Sequence, residues 1–119
     1  MHIHHLALRV RDFEKSLHFY QTLTELKIHT QFSANGGSIA YLQNASGETQ
    51  LELIGMPEGE TVKASGMFLC FGTEDIASAH ERAVLHSMNP SDIRQPEPDA
   101  RYFYVYDPDG LSVQVREYR

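Results

Sequence analysis

The sequence predicts an α+β fold made of two βαβββ modules, and three observations predict it. His5-Leu6-Ala7-Leu8-Arg9-Val10 alternates as a strand and runs directly into a helical pattern opened by Asp12. The same order returns at Phe68-Leu69-Cys70-Phe71-Gly72, followed by Asp75-Ile76-Ala77-Ser78-Ala79-His80. Three strand-like segments then follow the first helix, and a matching set follows the second. Placing Asp75-Ile76 under Asp12-Phe13 sets Phe68 under His5 and His80 under Leu17. The chain reads as one module written twice.

In the first module, a strand over about residues 2–10 puts His5, Ala7 and Arg9 on one face and Leu6, Leu8 and Val10 on the other. A helix from Asp12 to about Thr24 carries Phe13, Leu17 and Tyr20 at helical spacing. Strands are expected at Leu26–Phe32, Ser38–Leu42 and Glu48–Ile54. Asn35-Gly36-Gly37 turns between the first two of these, because a tight hairpin turn requires positive φ. Residues 55–66, rich in Gly and charge, read as a linker.

The second module opens with a strand at Met67–Gly72. A helix follows from Thr73 or Glu74 to about His86 or Ser87. A short strand is expected near Ile93, with a loop at Gln95-Pro96-Glu97-Pro98-Asp99, where two prolines oppose both helix and central strand. Arg101–Tyr106 and Leu111–Tyr118 close the module around the turn Asp107-Pro108-Asp109-Gly110. Module one thus covers about residues 1–54 and module two about 67–119, in a single-domain chain.

At 119 residues the chain is long enough for one real core. A net charge of −6 with no basic run longer than two residues argues against nucleic acid and anionic membrane surfaces as partners. No apolar run approaches the ~20 residues of a membrane helix, and no leader pattern precedes the first strand, so a cytoplasmic location is expected. Cys70 is the single cysteine and, inside an apolar strand, is expected to be buried packing. Met1-His2-Ile3-His4-His5 continues without a break into the first strand and is read as native rather than as a tag.

With one face of each sheet under a helix, the opposite faces need cover. Two sheets curling toward each other enclose a cleft lined by His5, Ala7, Arg9, Gln50, Glu52 and Ile54, with Phe68 and Gln114 from the second module. His5 and Glu52 suit a metal as imidazole and carboxylate donors, while Gln114 is a weak oxygen donor and Phe68 none. Equally, Glu52 could pair with Arg9 or Arg116, and His5 could bond a neighbour. Arg9 favours a planar anionic partner, either a ligand carboxylate or a rim salt bridge. His80, on the apolar side of the second helix, is expected to be a hydrogen-bonded core histidine. Tyr102, Tyr104 and Tyr106 give one strand face aromatic surface, best explained by packing. Phosphate loops, zinc-finger spacings and nucleophile elbows are absent from the sequence.

Together, His5-Leu6-Ala7-Leu8-Arg9-Val10-Arg11-Asp12, Ser16 to Phe19-Tyr20, Leu51-Glu52-Leu53, Glu74-Asp75-Ile76 and Asp107-Pro108-Asp109-Gly110 leading to Gln114 resemble the vicinal oxygen chelate superfamily. That group holds glyoxalase I, bleomycin and fosfomycin resistance proteins and extradiol dioxygenases. The opening His-x-x-x-Arg-Val-x-Asp looks most like glyoxalase I. The resemblance implies paired βαβββ modules and a homodimer that completes its clefts. It implies His5, Glu52 and Gln114 as metal positions and Arg9 against the acidic part of a glutathione-like substrate. The family's second-module histidine falls at Phe68, and its carboxylate falls at Gln114, which cannot serve as a base. Glu25 stands where the family ends its first helix with glycine. The expectation is therefore a protein that binds a small organic ligand, with Arg9, Phe68 and Gln114 contacting it beside an incomplete metal site. That site would hold no cofactor or a weakly bound divalent ion (nickel, zinc, manganese or iron). The alternative is a metal-dependent isomerase or lyase of lactoylglutathione lyase type.

Overall fold

A parallel strand pair frames each module. The computed structural model describes residues 1–118. β1 (His5–Arg9) enters α1 (Phe13–Thr24), followed by β2 (Lys27–Ala34), β3 (Gly37–Gln43) and β4 (Gln50–Gly55). β5 (Leu69–Thr73) enters α2 (Ile76–Leu85), followed by β6 (Arg94–Glu97), β7 (Ala100–Tyr106) and β8 (Ser112–Tyr118). The sheets run β1-β4-β3-β2 and β5-β8-β7-β6. The first and last strands of each module pair in parallel, and the remaining neighbours are antiparallel. The fold is α+β with two βαβββ modules, as the sequence predicts. The chain divides into compact units Met1–Lys63 and Ala64–Arg119.

Each helix starts the same way. The Asp12 carboxylate accepts the Lys15 N–H at 3.2 Å, and the Asp75 carboxylate accepts the Ser78 N–H at 3.0 Å. Each cap satisfies a donor that the first helical turn leaves without a partner. α1 ends on Glu25 in the left-handed region, φ 60°, so a non-glycine residue takes the cap conformation. The cores form between helix and sheet. Leu17, Tyr20 and Leu23 of α1 and Leu51 and Leu53 of β4 are buried in module one. Ile76, Ala79 and Ala83 of α2, with Phe103, Val113 and Val115, are buried in module two.

A carboxylate also holds α2. Glu117, 6% exposed, accepts the Ile76 N–H at 3.2 Å and takes Arg101 Nη1 at 3.4 Å. His80 has its Nε2 2.9 Å from the Ser91 carbonyl oxygen and its ring edge-on to Phe103. It is the hydrogen-bonded histidine that the sequence suggests.

Several expectations need correction. The first strand begins at His5 rather than at residue 2, and α2 is capped by Asp75, because β5 runs on to Thr73. The expected loop at 95–99 is partly strand. Arg94–Glu97 pairs at Arg94–Tyr102 and Glu97–Ala100 with a register shift between. It lies at the sheet edge, where the missing N–H of Pro96 costs no ladder bond. Cys70 is exposed rather than buried. Strand alternation sends Leu69 and Phe71 to one face and Cys70 to the other, beside Gln114.

Gly55 closes β4 beneath α1. A Cβ there would lie 2.5 Å from the Phe13 Cβ, so any side chain forces helix and strand apart. Gly55→Ala should destabilise the chain by about 1–3 kcal/mol in urea unfolding, the usual cost of overpacking. An unchanged midpoint would mean the helix is free to shift.

Candidate functional site

In module one, strand register assembles three polar side chains around one position. Glu52 on β4 lies beside Ala7 of β1 and Tyr41 of β3. His5, two residues before Ala7, shares that face by the strand's alternation. Glu52 is 7% exposed, and a buried carboxylate requires donors. His5 Nε2 lies 3.3 Å from its Oε1. The Tyr41 hydroxyl also bonds it, which raises the Tyr41 pKa above 10.0, with desolvation and the carboxylate charge adding to the shift. The His5 ring stands edge-on to Tyr41 at 5.6 Å, and its Nδ1 lies 2.8 Å from Nδ1 of His4.

Arg9 lies elsewhere on β1. Its carbonyl accepts the Val62 N–H at 2.7 Å, which folds the segment after β4 against the β1 edge. Its guanidinium has no ion-pair or hydrogen-bond partner among the described residues, so the alternative pairing with Glu52 is not formed. It borders a cavity of about 390 Å³ with Asn35, Met56, Pro57 and Glu58. Ala7, Ile54, Glu60 and Thr61 join Arg9 around another of about 380 Å³.

Module two repeats the pattern with different chemistry. Gln114 on β8 lies between Cys70 of β5 and Tyr104 of β7, as Glu52 lies between Ala7 and Tyr41. Its Oε1 accepts from the Cys70 thiol at 3.1 Å, and its Nε2 donates to the Tyr104 hydroxyl at 2.8 Å. Gln114 is 5% exposed, and both ends of its amide are engaged. Phe68 stands edge-on to Tyr104 at 5.5 Å, and Tyr102 follows at 5.7 Å. The Arg116 guanidinium lies 5.6 Å from the ring centres of both Tyr102 and Tyr118. The Tyr118 pKa is raised chiefly by its hydrogen bond with Cys70.

Sequence alone does not mark Tyr41 and Tyr104 as site residues, although their spacing carries the signal. Both fall opposite the central polar residue of their module, at the offset that matches His5 with Phe68. The alternation of Tyr102, Tyr104 and Tyr106 points to packing, yet the Tyr104 hydroxyl is committed to Gln114.

The donor set does not fit the metal ring that the resemblance implies. Among the described residues no group of three or more His, Cys, Asp or Glu side chains converges to hold an ion. Module one brings His5 and Glu52 together as a pair. In module two, Phe68 has no donor and the Gln114 oxygen is occupied by a thiol.

A family model for the glyoxalase/bleomycin resistance protein/dioxygenase superfamily matches residues 2–115. The chain belongs to that superfamily. It is 30% identical over 120 residues to the uncharacterized protein YwbC of Bacillus subtilis, covering 94% of each chain. TnmS3, an antibiotic binding protein from Streptomyces sp. CB03234, superposes with a TM-score of 0.78 at 19% identity, covering all of this chain and 97% of that one. Leishmania major glyoxalase I gives 0.79 at 19% identity, covering 98% of this chain and 86% of that one. At such identities these two structures share the superfamily's fold with the chain, and its functional reading rests on the residues above. No helix among the described residues is long and apolar enough to cross a membrane.

The Tyr41–Glu52 bond has a titration signature. Its raised pKa means that the folded chain holds the phenol proton more tightly than the unfolded chain does. The associated stability is present below pH 10 and is lost as pH rises through the Tyr41 pKa. Glu52→Gln should move the Tyr41 midpoint down toward 10.0, followed by NMR of labelled tyrosine. An unmoved midpoint would place the cause outside Glu52.

Proposed function

We propose that this chain binds a small organic ligand on the polar sheet faces of its modules, and that this binding needs no metal ion. The observation that carries the reading is the committed Gln114 amide, held between Cys70 and Tyr104 beside Phe68. A side chain so engaged offers a shaped, uncharged wall rather than a ligand to an ion. Phe68 and Tyr104 supply aromatic surface, and Gln114 fixes its orientation. Arg9, an unpaired guanidinium bordering two cavities, receives an anionic group of the ligand. The antibiotic binding protein among the structural neighbours supports a ligand-holding role on this fold.

The rival reading is a metal-dependent lyase of glyoxalase I type, favoured by the His5–Glu52 pair at 3.3 Å. There His5 and Glu52 would hold the ion weakly, and the ion would supply polarisation of a substrate oxygen. The superfamily resemblance also supports a homodimer. A dimer would sediment at twice 13.5 kDa, whereas a clean monomer at working concentration would refute it.

The ligand reading is tested by a thermal-shift screen of small aromatic carboxylates against chelator-treated protein, with titration of the hits. Binding should persist without metal and weaken about ten-fold or more in Arg9→Ala, the scale of a lost charge-assisted hydrogen bond. Hits that appear only after adding nickel, zinc, manganese or iron would favour the lyase.

A further inference from the structure

Beside the contacts that hold Gln114, the polar face of module two carries two arginines without an acidic partner. Register places Arg94 of β6 and Arg116 of β8 directly opposite Tyr102 of β7, one from each side. Residues directly opposite in antiparallel strands share a face, so the three side chains stand on one rung, the arginines rooted about 10 Å apart across Tyr102. Arg116 is half-buried and Arg94 exposed. The Arg116 guanidinium lies 5.6 Å from the ring centres of both Tyr102 and Tyr118. Neither guanidinium makes a salt bridge or hydrogen bond among the described residues.

Acidic partners are available to this chain, which has 16 Asp and Glu residues. Arg101, on the opposite face of β7, takes one of them, Glu117, at 3.4 Å. On the Tyr102 rung two positive charges instead stand together, and their repulsion is relieved by an anion between them. Stacking on tyrosine rings stabilises the Arg116 charge while leaving its N–H groups free to donate. Gly72 of β5 pairs with Arg116, and a Cβ there would press on the Tyr118 ring at 3.2 Å. The bare backbone at Gly72 therefore gives that ring its place beside Arg116. Tyr118 is 63% exposed, which leaves this end of the face open to a ligand.

We propose that Arg94 and Arg116 bind a doubly charged oxyanion, the phosphate of an aromatic phosphomonoester. Two guanidinium forks match two negative charges, and tetrahedral oxygens accept from both. The aromatic run continues from Tyr102 to Tyr104 at 5.7 Å and from Tyr104 to Phe68 at 5.5 Å. A flat ring attached to the phosphate packs along that run. Gln114 and the Tyr104 hydroxyl, committed to each other, add no charge to it. This oxyanion site names a ligand class for the face already read as ligand-binding, and it rests on that reading. It lies wholly in module two, apart from the anion contact of Arg9 in module one.

The test is calorimetric titration of the chelator-treated full chain with phenyl phosphate at low salt and about pH 8, where a phosphomonoester is doubly charged. Phenyl sulfate, tetrahedral but singly charged, and uncharged phenol are the comparisons. Phenyl phosphate should bind about ten-fold or more tighter than phenyl sulfate, with phenol weakest. Arg116→Gln and Arg94→Gln should each weaken phenyl phosphate about ten-fold or more. Lys27→Gln, which removes an exposed charge on β2, should leave its affinity unchanged. Melting temperatures of the variants are compared with that of the parent chain, so that lost binding is not lost folding. Equal affinity for phosphate and sulfate, or for parent and arginine variants, would overturn the proposal. Inorganic phosphate binding as tightly as phenyl phosphate would overturn its aromatic part. Hits in the aromatic carboxylate screen without any phenyl phosphate binding would overturn it while leaving the ligand reading intact. Phenyl phosphate bound through both arginines, without carboxylate hits, would uphold it while the Arg9 contact fails.

Discussion

A carboxylate buried in a sheet must be given hydrogen-bond donors, and module one is arranged around that requirement. Glu52 occupies the strand next to β1, where an apolar residue would have packed at no electrostatic cost. Its 7% exposure makes it acceptable only because Tyr41 bonds it from one neighbouring strand while His5 reaches it from the other. Register delivers both partners. The parallel pairing of β1 with β4 and the antiparallel pairing of β3 with β4 leave no freedom to supply them from elsewhere. A slip of one residue would turn Glu52 toward α1.

Module two solves the corresponding problem without charge. Gln114 takes the carboxylate's place, Cys70 replaces Ala7 and Tyr104 matches Tyr41, and Phe68 falls at His5's place in the sequence repeat. An amide both donates and accepts, so a thiol and a phenol satisfy it where the carboxylate needs two donors. The duplicated framework is conserved within the chain, while its chemistry has diverged from ionic to neutral and aromatic. This asymmetry places an ionic pair in module one and a neutral amide network in module two.

Much of this was legible in the sequence. The two strand-to-helix junctions and their aspartate caps rest on local signals: alternation, helical spacing and capping chemistry. His5 and Glu52 were legible as a possible pair because alternation puts both on the cleft face of their strands; that β4 lies directly beside β1 comes from the sheet pairing. Less visible were features set by tertiary position. Cys70 lies in an apolar run, and only the sheet register shows that it faces Gln114 rather than the core. Pro96 signals loop until the segment is seen to be an edge strand. The Tyr41 and Tyr104 hydroxyls were hidden because a tyrosine in a strand reads first as packing. Arg9 was visible as an anion partner, but its place beside the segment that carries Glu58 and Glu60 depends on a long-range bond to Val62.

The central claim is that the polar residue at the heart of each sheet is satisfied by its own module's strands. The most direct measurement is the side-chain amide of Gln114, observed by NMR in nitrogen-15-labelled protein. The account predicts two well-separated amide proton signals with slowed solvent exchange. Both should move and exchange faster in Tyr104→Phe, which removes the acceptor 2.8 Å away. An amide that exchanges freely, or that is unmoved by that substitution, would contradict it.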